Sequence, residues 1–306
     1  MRKLGKIDRK FYQLLSSKME SENLRINIFD IGAADEYPKE WDELIFKNIF
    51  GFEPDFNSYK KLNPSTNVNF YNTAIDFSTG VSKINLTKKR QCSSLLKPNL
   101  EYLDSFENSD RFNVEMVSNV NSLSLNDFIF NEKVLPDLIK LDTQGTELQI
   151  LKGGNEDMFN TLNLIEIEVS FHELYLSQDL FFDVDPFLKG KGFNLVSLET
   201  IGHKRKSELP FKDLKEVFFG NALYLKDPTK VSDSNQLLKL AYVATAYGFS
   251  RYAYNLIKYS NDRFDEKFRE ELIQLEKSIL TNQESFASKL ANELKWKIEK
   301  YFKIRI

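Results

Sequence analysis

The chain of 306 residues is 42% hydrophobic, which allows one large core with an appendage or two modest domains. Lys and Arg number 42 against 45 Asp and Glu, and the net charge of -3 gives no support for a nucleic-acid partner. The single cysteine, Cys92, excludes an internal disulfide and a site of clustered thiolate ligands.

The sequence contains no segment typical of export or membrane insertion. Its opening residues, MRKLGKIDRKFYQLLSSK, are charged throughout and lack the apolar run of a signal peptide. No stretch approaches the roughly 20 uninterrupted apolar residues that a membrane-spanning helix needs. We therefore expect a cytoplasmic protein without a transmembrane segment.

Helical and strand patterns alternate after an amphipathic helix that we predict within residues 1–23. The spacing of apolar residues predicts further helices at 41–49 and 59–62, and residues 76–113 are expected to be rich in loops. Short apolar runs predict buried strands at 26–31, 50–52, 68–75, 138–142, 164–169, 193–198 and 217–225.

This alternation predicts an α/β fold, with a doubly wound sheet of seven strands and helices on both faces, over residues 24–227. The last two strands are joined by about twenty residues that include Pro210 and show no long helical pattern. Such a connection favours an antiparallel final strand over a right-handed crossover. An antiparallel closing strand argues against the sheet of a nucleotide-binding dehydrogenase.

Residues 228–306 carry only helical patterns and are predicted to form a helical appendage. Its last part has an apolar face and an excess of Lys and Arg on the other positions. Docking of this face on the protein's own core or on a second subunit is one interpretation. Attachment to an anionic membrane surface is the other. The apolar face consists of Phe286, Leu290, Leu294, Ile298 and Tyr301.

Ligands of a doubly wound sheet bind beyond the carboxyl ends of its strands, and the candidate site residues lie at such ends. Asp30 and Glu53 are 23 positions apart, about the separation at which the acid of a second strand reaches ribose hydroxyls. A turn glycine with two surface acids is the alternative, and the full G-x-G-x-x-G of pyrophosphate sites is absent. The predicted cofactor contacts are Asp30, Gly32, Ala33, Glu53, Pro54, Asp55 and Ala74.

The fourth strand is followed by a more specific motif, IKLDTQGTELQILKG at residues 139–153. It resembles the K-x-D-x-E-G-x-E-x-x-x-L-x-G signature of FkbM-type methyltransferases. FDIGAADEYPKEW, GFEPDF, SSLLKPN and IEIEVSFHELY are similar to further segments of that family, so the resemblance covers residues 26–226. The sequence departs from the family pattern in two places. Gln144 replaces the common glutamate, and residues 34–36 replace the usual asparagine and second glycine of the first loop.

The resemblance implies a class I methyltransferase fold, S-adenosylmethionine as methyl donor, and O-methylation of sugars in polysaccharides or of natural products. The acceptor is therefore expected to be a small molecule or a glycan, and Asp142 is a further expected contact of the donor. A sugar hydroxyl needs a base to take its proton, and Asp142 and His172 are the two candidates. Asp142 alternatively orients the donor, and His172 alternatively packs as a neutral ring. Ser94, Gln144 and Glu168 are the predicted substrate contacts.

Several alternatives remain open at this point. Asp142, Glu168 and His172 could instead bind a divalent cation, although Gln144 removes one carboxylate, and we expect no metal. A nucleotide-binding dehydrogenase and a non-catalytic methyltransferase-like scaffold are the competing functions. The basic run at residues 203–206 is either an exposed hairpin or a site for a phosphorylated acceptor.

Overall fold

The computed structural model describes residues 4–34 and 37–281. In chain order, the strands are β1 Ile26–Ile31, β2 Lys47–Phe52, β3 Val68–Tyr71, β4 Ala74–Asp76, β5 Gly80–Thr87, β6 Val114–Ser124, β7 Leu138–Leu141, β8 Leu164–Ser170, β9 Phe193–His203 and β10 Glu216–Lys226. The helices are α1 Lys6–Ser21, α2 Phe56–Tyr59, α3 Leu100–Leu103, α4 Leu125–Glu132, α5 Glu147–Lys152, α6 Glu156–Thr161, α7 Phe181–Gly190, α8 Ser234–Ala246 and α9 Ser250–Tyr259. Residues 266–281 are also helical.

A seven-stranded sheet in the order β3-β2-β1-β7-β8-β10-β9 forms the centre of the protein. Its first five strands in that order run parallel, and β10 lies antiparallel between β8 and β9. The predicted seven-stranded α/β sheet with an antiparallel closing strand is therefore confirmed. The strand order reverses between β1 and β7, which is where sheets of this kind bind their ligands.

Helices cover both faces of this sheet, because successive side chains of a buried strand point to opposite sides. On β1, Ile26 and Ile28 pack in one hydrophobic cluster with α1 and α8. Phe29 and Ile31 face the other side and join a second cluster with Phe128 of α4. The Phe29 and Phe128 rings meet edge to face at 5.3 Å between their centroids. Each face thus has its own core.

Two of the predicted helices are wrong, because tertiary contacts override the local spacing of apolar residues. Residues 41–49 contain the end of a short 3-10 turn, Lys39–Asp42, and the first part of β2. Trp41 is fully buried and its Nε1 donates to the Tyr247 hydroxyl of the α8 C-terminus at 2.7 Å. The helix predicted at 59–62 ends at Tyr59.

The segment between β3 and α4 also differs from the prediction. Residues 68–75 form parts of two strands in different sheets, and the expected loop region contains β5. β5 pairs with β6, and β6 pairs with β4, in a separate three-stranded sheet. The polar sequence of β5 shows no clear apolar alternation, so its pairing depends on partner residues 27 to 42 positions away.

The helices after residue 228 contact the sheet through α8, whose residues Leu240 and Tyr242 are fully buried in the cluster that also contains α1. The division of the chain at residues 24 and 228 stays a prediction. The basic amphipathic segment, Phe286 to Tyr301, lies outside the described residues. Within residues 4–34 and 37–281, no helix is long and apolar enough to cross a membrane.

Candidate active site

A cleft opens at the carboxyl ends of β1, β2 and β7. Eight of the predicted site residues line it, namely Gly32, Glu53, Pro54, Asp55, Ala74, Ser94, Asp142 and Gln144. The cleft therefore brings together residues that are more than a hundred positions apart, because parallel strands present their carboxyl ends at one edge.

Four predicted residues do not belong to this lining: Asp30, Ala33, Glu168 and His172. Asp30 and Ala33 are buried at the end of β1. Glu168 reaches the site indirectly, through Gln144. The exposed His172 ring stacks on Tyr102, with 5.4 Å between the ring centroids. The roles that we predicted for these residues stay predictions.

Gly32 fits the end of β1 against the end of β7. Its φ of +91° lies in the left-handed region, and an added Cβ would overlap the backbone oxygen of Asp142. Its neighbour Ala33 donates its amide to the Phe52 oxygen of β2. The absence of a side chain at Gly32 thus sets how closely the three strand ends approach each other.

The Gly32→Ala variant is expected to lose at least about 3 kcal/mol of unfolding free energy, from the backbone strain and the overlap with Asp142 together. Gly248→Ala is the matched control, since Gly248 has a φ of +87° but open space around its Cβ position. That control should lose about 1 kcal/mol from the strained φ alone. Urea unfolding measures both, and equal losses would show that the overlap with Asp142 costs nothing.

A buried cation lies beneath the cleft floor. The Lys140 Nζ is 3.6 Å from Asp30 Oδ1 and 3.8 Å from Asp142 Oδ2, and the Lys140 side chain is 18% exposed. Burial lowers the pKa of Lys140, but the charges of Asp30, Asp142 and Glu166 outweigh that effect and raise it. Lys140 is therefore held as a cation that compensates the carboxylates around it.

Gln144 joins two carboxylates at the cleft edge. Its Nε2 donates to Asp142 Oδ1 at 2.9 Å and to Glu168 Oε1 at 2.8 Å, while its Oε1 accepts from the Tyr175 hydroxyl at 2.9 Å. The two amide hydrogens separate the carboxylates without adding a third negative charge. Burial, then the charges of Asp142 and Glu147, raises the pKa of Glu168 well above its ordinary value.

Glu147 stabilises the loop that carries Asp142 and Gln144. Its carboxylate accepts from the amides of Thr143 and Gly145 and from the Thr143 hydroxyl. Gln144 itself has a φ of +62°, which is uncommon for a residue with a side chain. Glu147, the first residue of α5, thus holds this strained turn in place.

At another wall of the cleft, Glu53 and Asp55 follow β2. Both are buried, and Glu53 Oε1 accepts from the Asp55 amide at 2.7 Å. Asp55 Oδ2 accepts from the Ser58 hydroxyl at 3.0 Å. These contacts fix the turn, so the position of the Glu53 carboxylate in the cleft is determined before any ligand binds.

The opposite wall comes from residues 90–95, most of which we did not predict in the site. Arg90, Gln91, Ser93 and Leu95 line the cleft together with the predicted Ser94. Ser94 is buried, and its hydroxyl donates to the backbone carbonyl oxygen of Gln144 at 2.8 Å. The basic KKR run at 88–90 was the available signal, but only the pairing of β5 and β6 brings it to the sheet edge.

The side chains around Asp142 do not resemble the ligands of a metal site. An amide nitrogen, that of Gln144, lies between the carboxylates of Asp142 and Glu168. Within the described ranges, no three His, Cys, Asp or Glu side chains are grouped so that they could hold a metal ion.

Comparison with known proteins identifies the family. The model of the methyltransferase FkbM domain matches residues 30–195, which is more than half of the chain. The chain belongs to the FkbM methyltransferase family. Its fold and its family make it a methyltransferase that uses S-adenosylmethionine. The match begins at Asp30 and contains all the predicted site residues of this FkbM protein.

Solved structures similar to this FkbM protein are distant in sequence. Magnesium protoporphyrin IX methyltransferase from Synechocystis, with bound S-adenosylmethionine, is 7% identical, with 74% of this chain and 86% of that chain covered and a TM-score of 0.31. A SAM-dependent methyltransferase from Anabaena variabilis is 9% identical, with 74% and 97% covered and a TM-score of 0.31. A comparison with curated protein sequences gives no match.

Proposed function

We propose that this protein transfers a methyl group from S-adenosylmethionine to a hydroxyl oxygen of a sugar or of a surface-polysaccharide precursor. The observation that carries the proposal is the common cleft of Glu53 and Asp142, a carboxylate suited to a vicinal diol and a carboxylate suited to a proton. The FkbM motif at 139–153 supports oxygen as the accepting atom, because the family resemblance implies O-methylation.

The residues of the cleft fit the donor. Glu53 can accept two hydrogen bonds from the ribose hydroxyls, and Gly32 and Ala74 leave space beside it. Asp55, Pro54 and Gly32 would hold the rest of the nucleoside and amino-acid portions between β1 and β2. The donor supplies an activated methyl group on a sulfonium, and the protein contributes mainly alignment of the two reacting atoms.

Asp142 is the base that we propose. Its side chain is 43% exposed, lines the cleft and is oriented by the hydrogen bond from Gln144. As Asp142 takes the proton of the acceptor hydroxyl, the Gln144 amide keeps its hydrogen bond to Asp142 and Lys140 keeps its positive charge beneath the cleft. His172 stays a second candidate, whose exposed ring would reach the acceptor only from outside the cleft lining.

The Glu53→Ala variant is expected to bind S-adenosylmethionine about 10- to 100-fold more weakly, since a charged hydrogen-bond partner typically contributes about 1.5–3 kcal/mol. Calorimetric titration with S-adenosylmethionine and S-adenosylhomocysteine measures the loss. Glu101→Ala, an exposed acid of α3, is the control and should bind as the wild type does.

Unchanged donor affinity in the Glu53→Ala variant would remove the ribose assignment. The same titration with NAD tests the alternative of a dehydrogenase, for which we expect no binding. A wild-type protein that binds neither S-adenosylmethionine nor S-adenosylhomocysteine would instead support the non-catalytic scaffold.

A further inference from the structure

Arg111 carries a guanidinium charge that no carboxylate of the described residues neutralises. It belongs to the short 3-10 turn Ser109–Phe112 between β5 and β6. Its Cζ is 4.8 Å from the Phe112 ring centroid, and its Nη2 is 2.9 Å from His203 Nε2. Its Nε is buried without a hydrogen-bond partner in the described part of the chain, where no carboxylate comes within 4.0 Å of it.

Three neighbouring cations differ from Arg111 in this respect. Lys88 pairs with Asp110, Arg90 with Glu115, and Arg205 with Glu216. Those three pairs are local and need no ligand. Lys206 resembles Arg111, since its Nζ donates only to the Ser109 hydroxyl, at 3.0 Å, in the interactions that the described residues make. Arg111 and Lys206 thus lie at the same turn, Ser109–Phe112.

His203 does not compensate the Arg111 charge. Burial, then the charges of Arg111 and Lys215, holds the pKa of His203 below its ordinary value. The ring is therefore neutral near pH 7, and its Nε2 accepts from Arg111. A partly buried guanidinium beside a neutral ring keeps most of its desolvation cost, which an anion from outside would offset.

Arg111 is connected through two aromatic rings to the loop that carries Asp142 and Gln144. Phe112 meets Tyr175 edge to face, with 6.0 Å between the ring centroids. The Tyr175 hydroxyl contacts Gln144, which in turn contacts Asp142. The Phe112 and Tyr175 rings are buried, so Arg111 lies two side-chain contacts from Gln144, and a second group of the acceptor would have to lie on this side of the cleft to contact it.

We infer that Arg111 and Lys206 form a subsite for a phosphate group of the acceptor, which is therefore a phosphorylated sugar. The planar fork of an arginine matches two oxygens of a phosphate, and a second cation suits its further negative charge. This inference rests on the proposed transfer to a sugar hydroxyl. A sugar 1-phosphate and a nucleotide sugar share the required chemistry.

The chain contains two histidines, so histidine NMR of the full-length protein reports on the subsite directly. Labelled protein is titrated with glucose 1-phosphate, UDP-glucose and glucose, and His172→Gln assigns the remaining signal to His203. Both phosphorylated probes should shift the His203 signal saturably, while glucose should not. The probe with the higher affinity shows whether the acceptor is a sugar phosphate or a nucleotide sugar.

The Arg111→Gln variant should weaken binding of the tighter probe about 10- to 100-fold, as expected for loss of a charged hydrogen bond. Lys206→Gln should weaken it less, and Lys212→Gln, an exposed lysine of the same β9–β10 connection, should leave it unchanged. Without probe, Arg111→Gln should melt no lower than the wild type, because removing a partly buried charge that has no carboxylate partner offsets the lost contacts with Phe112 and His203. A purely structural arginine would lower the melting temperature instead.

An equal response of His203 to glucose, or an unchanged titration in Arg111→Gln, would overturn the subsite. So would a wild-type His203 signal that none of the probes moves. Donor binding is measured separately by calorimetry with S-adenosylhomocysteine, and the NMR titration does not depend on it. A missing donor isotherm therefore contradicts the proposed function, whereas a normal isotherm with a silent His203 contradicts only the phosphate subsite.

Discussion

The Asp142→Asn variant is expected to turn over about 10²- to 10⁴-fold more slowly than the wild type, the range typical for loss of a positioned general base. Asparagine keeps the shape of the side chain and can still accept from Gln144 Nε2, so the loop should hold its conformation. It cannot take the proton of the acceptor hydroxyl. Initial rates at saturating donor and acceptor, together with calorimetry of the donor, measure the effect.

The split between rate and affinity distinguishes the two roles of Asp142. If Asp142 only orients the donor, the variant will bind S-adenosylmethionine more weakly and recover its rate when the donor is saturating. His172→Ala, measured in parallel, should be the milder change because the ring lies outside the cleft lining. A large loss in that variant with normal turnover in Asp142→Asn would assign the base to His172.

The Lys140→Met variant is expected to lose about 3–5 kcal/mol of unfolding free energy at pH 7, as is typical when one partner of a buried ion pair is removed. The Asp30 side chain is 4% exposed and would be left in the interior without its cation. Methionine fills a similar volume, so the loss reports mainly the uncompensated charge. Urea unfolding at pH 7 measures it.

The deficit of Lys140→Met should shrink in acid. Burial raises the pKa of Asp30, Lys140 lowers it, and Asp142 raises it again, with a net increase. In the Lys140→Met variant, the pKa of Asp30 in the folded protein lies higher still. Protonated Asp30 therefore stabilises the folded state at low pH, and this stabilisation is lost as the pH rises through that pKa. Adding Asp30→Asn should restore most of the loss at pH 7, and no recovery would show that Lys140 acts through other contacts.

The strand pattern and the rule that ligands bind at carboxyl ends were enough to place Glu53 and Asp142 in one cleft. The residues from 90 to 95 could not be placed in the same way. Their position depends on β5 pairing with β6, and the polar residues of β5 do not alternate clearly with apolar ones. His172 follows the strand next to Asp142, yet the turn after β8 directs its ring to Tyr102.

The sequence alone predicted the approximate positions of the seven strands of the central sheet, the antiparallel last strand, and the resemblance of the 139–153 motif to FkbM methyltransferases. Those properties are local, because each depends on periodicity, connection length or a contiguous motif. Only the tertiary structure decided which side chains meet. Asp30, Lys140 and Glu166 are in register across β1, β7 and β8, and this row of charges lies beneath the cleft. Strand periodicity fixes the face of each side chain, but the identity and register of the neighbouring strand depend on packing between distant segments.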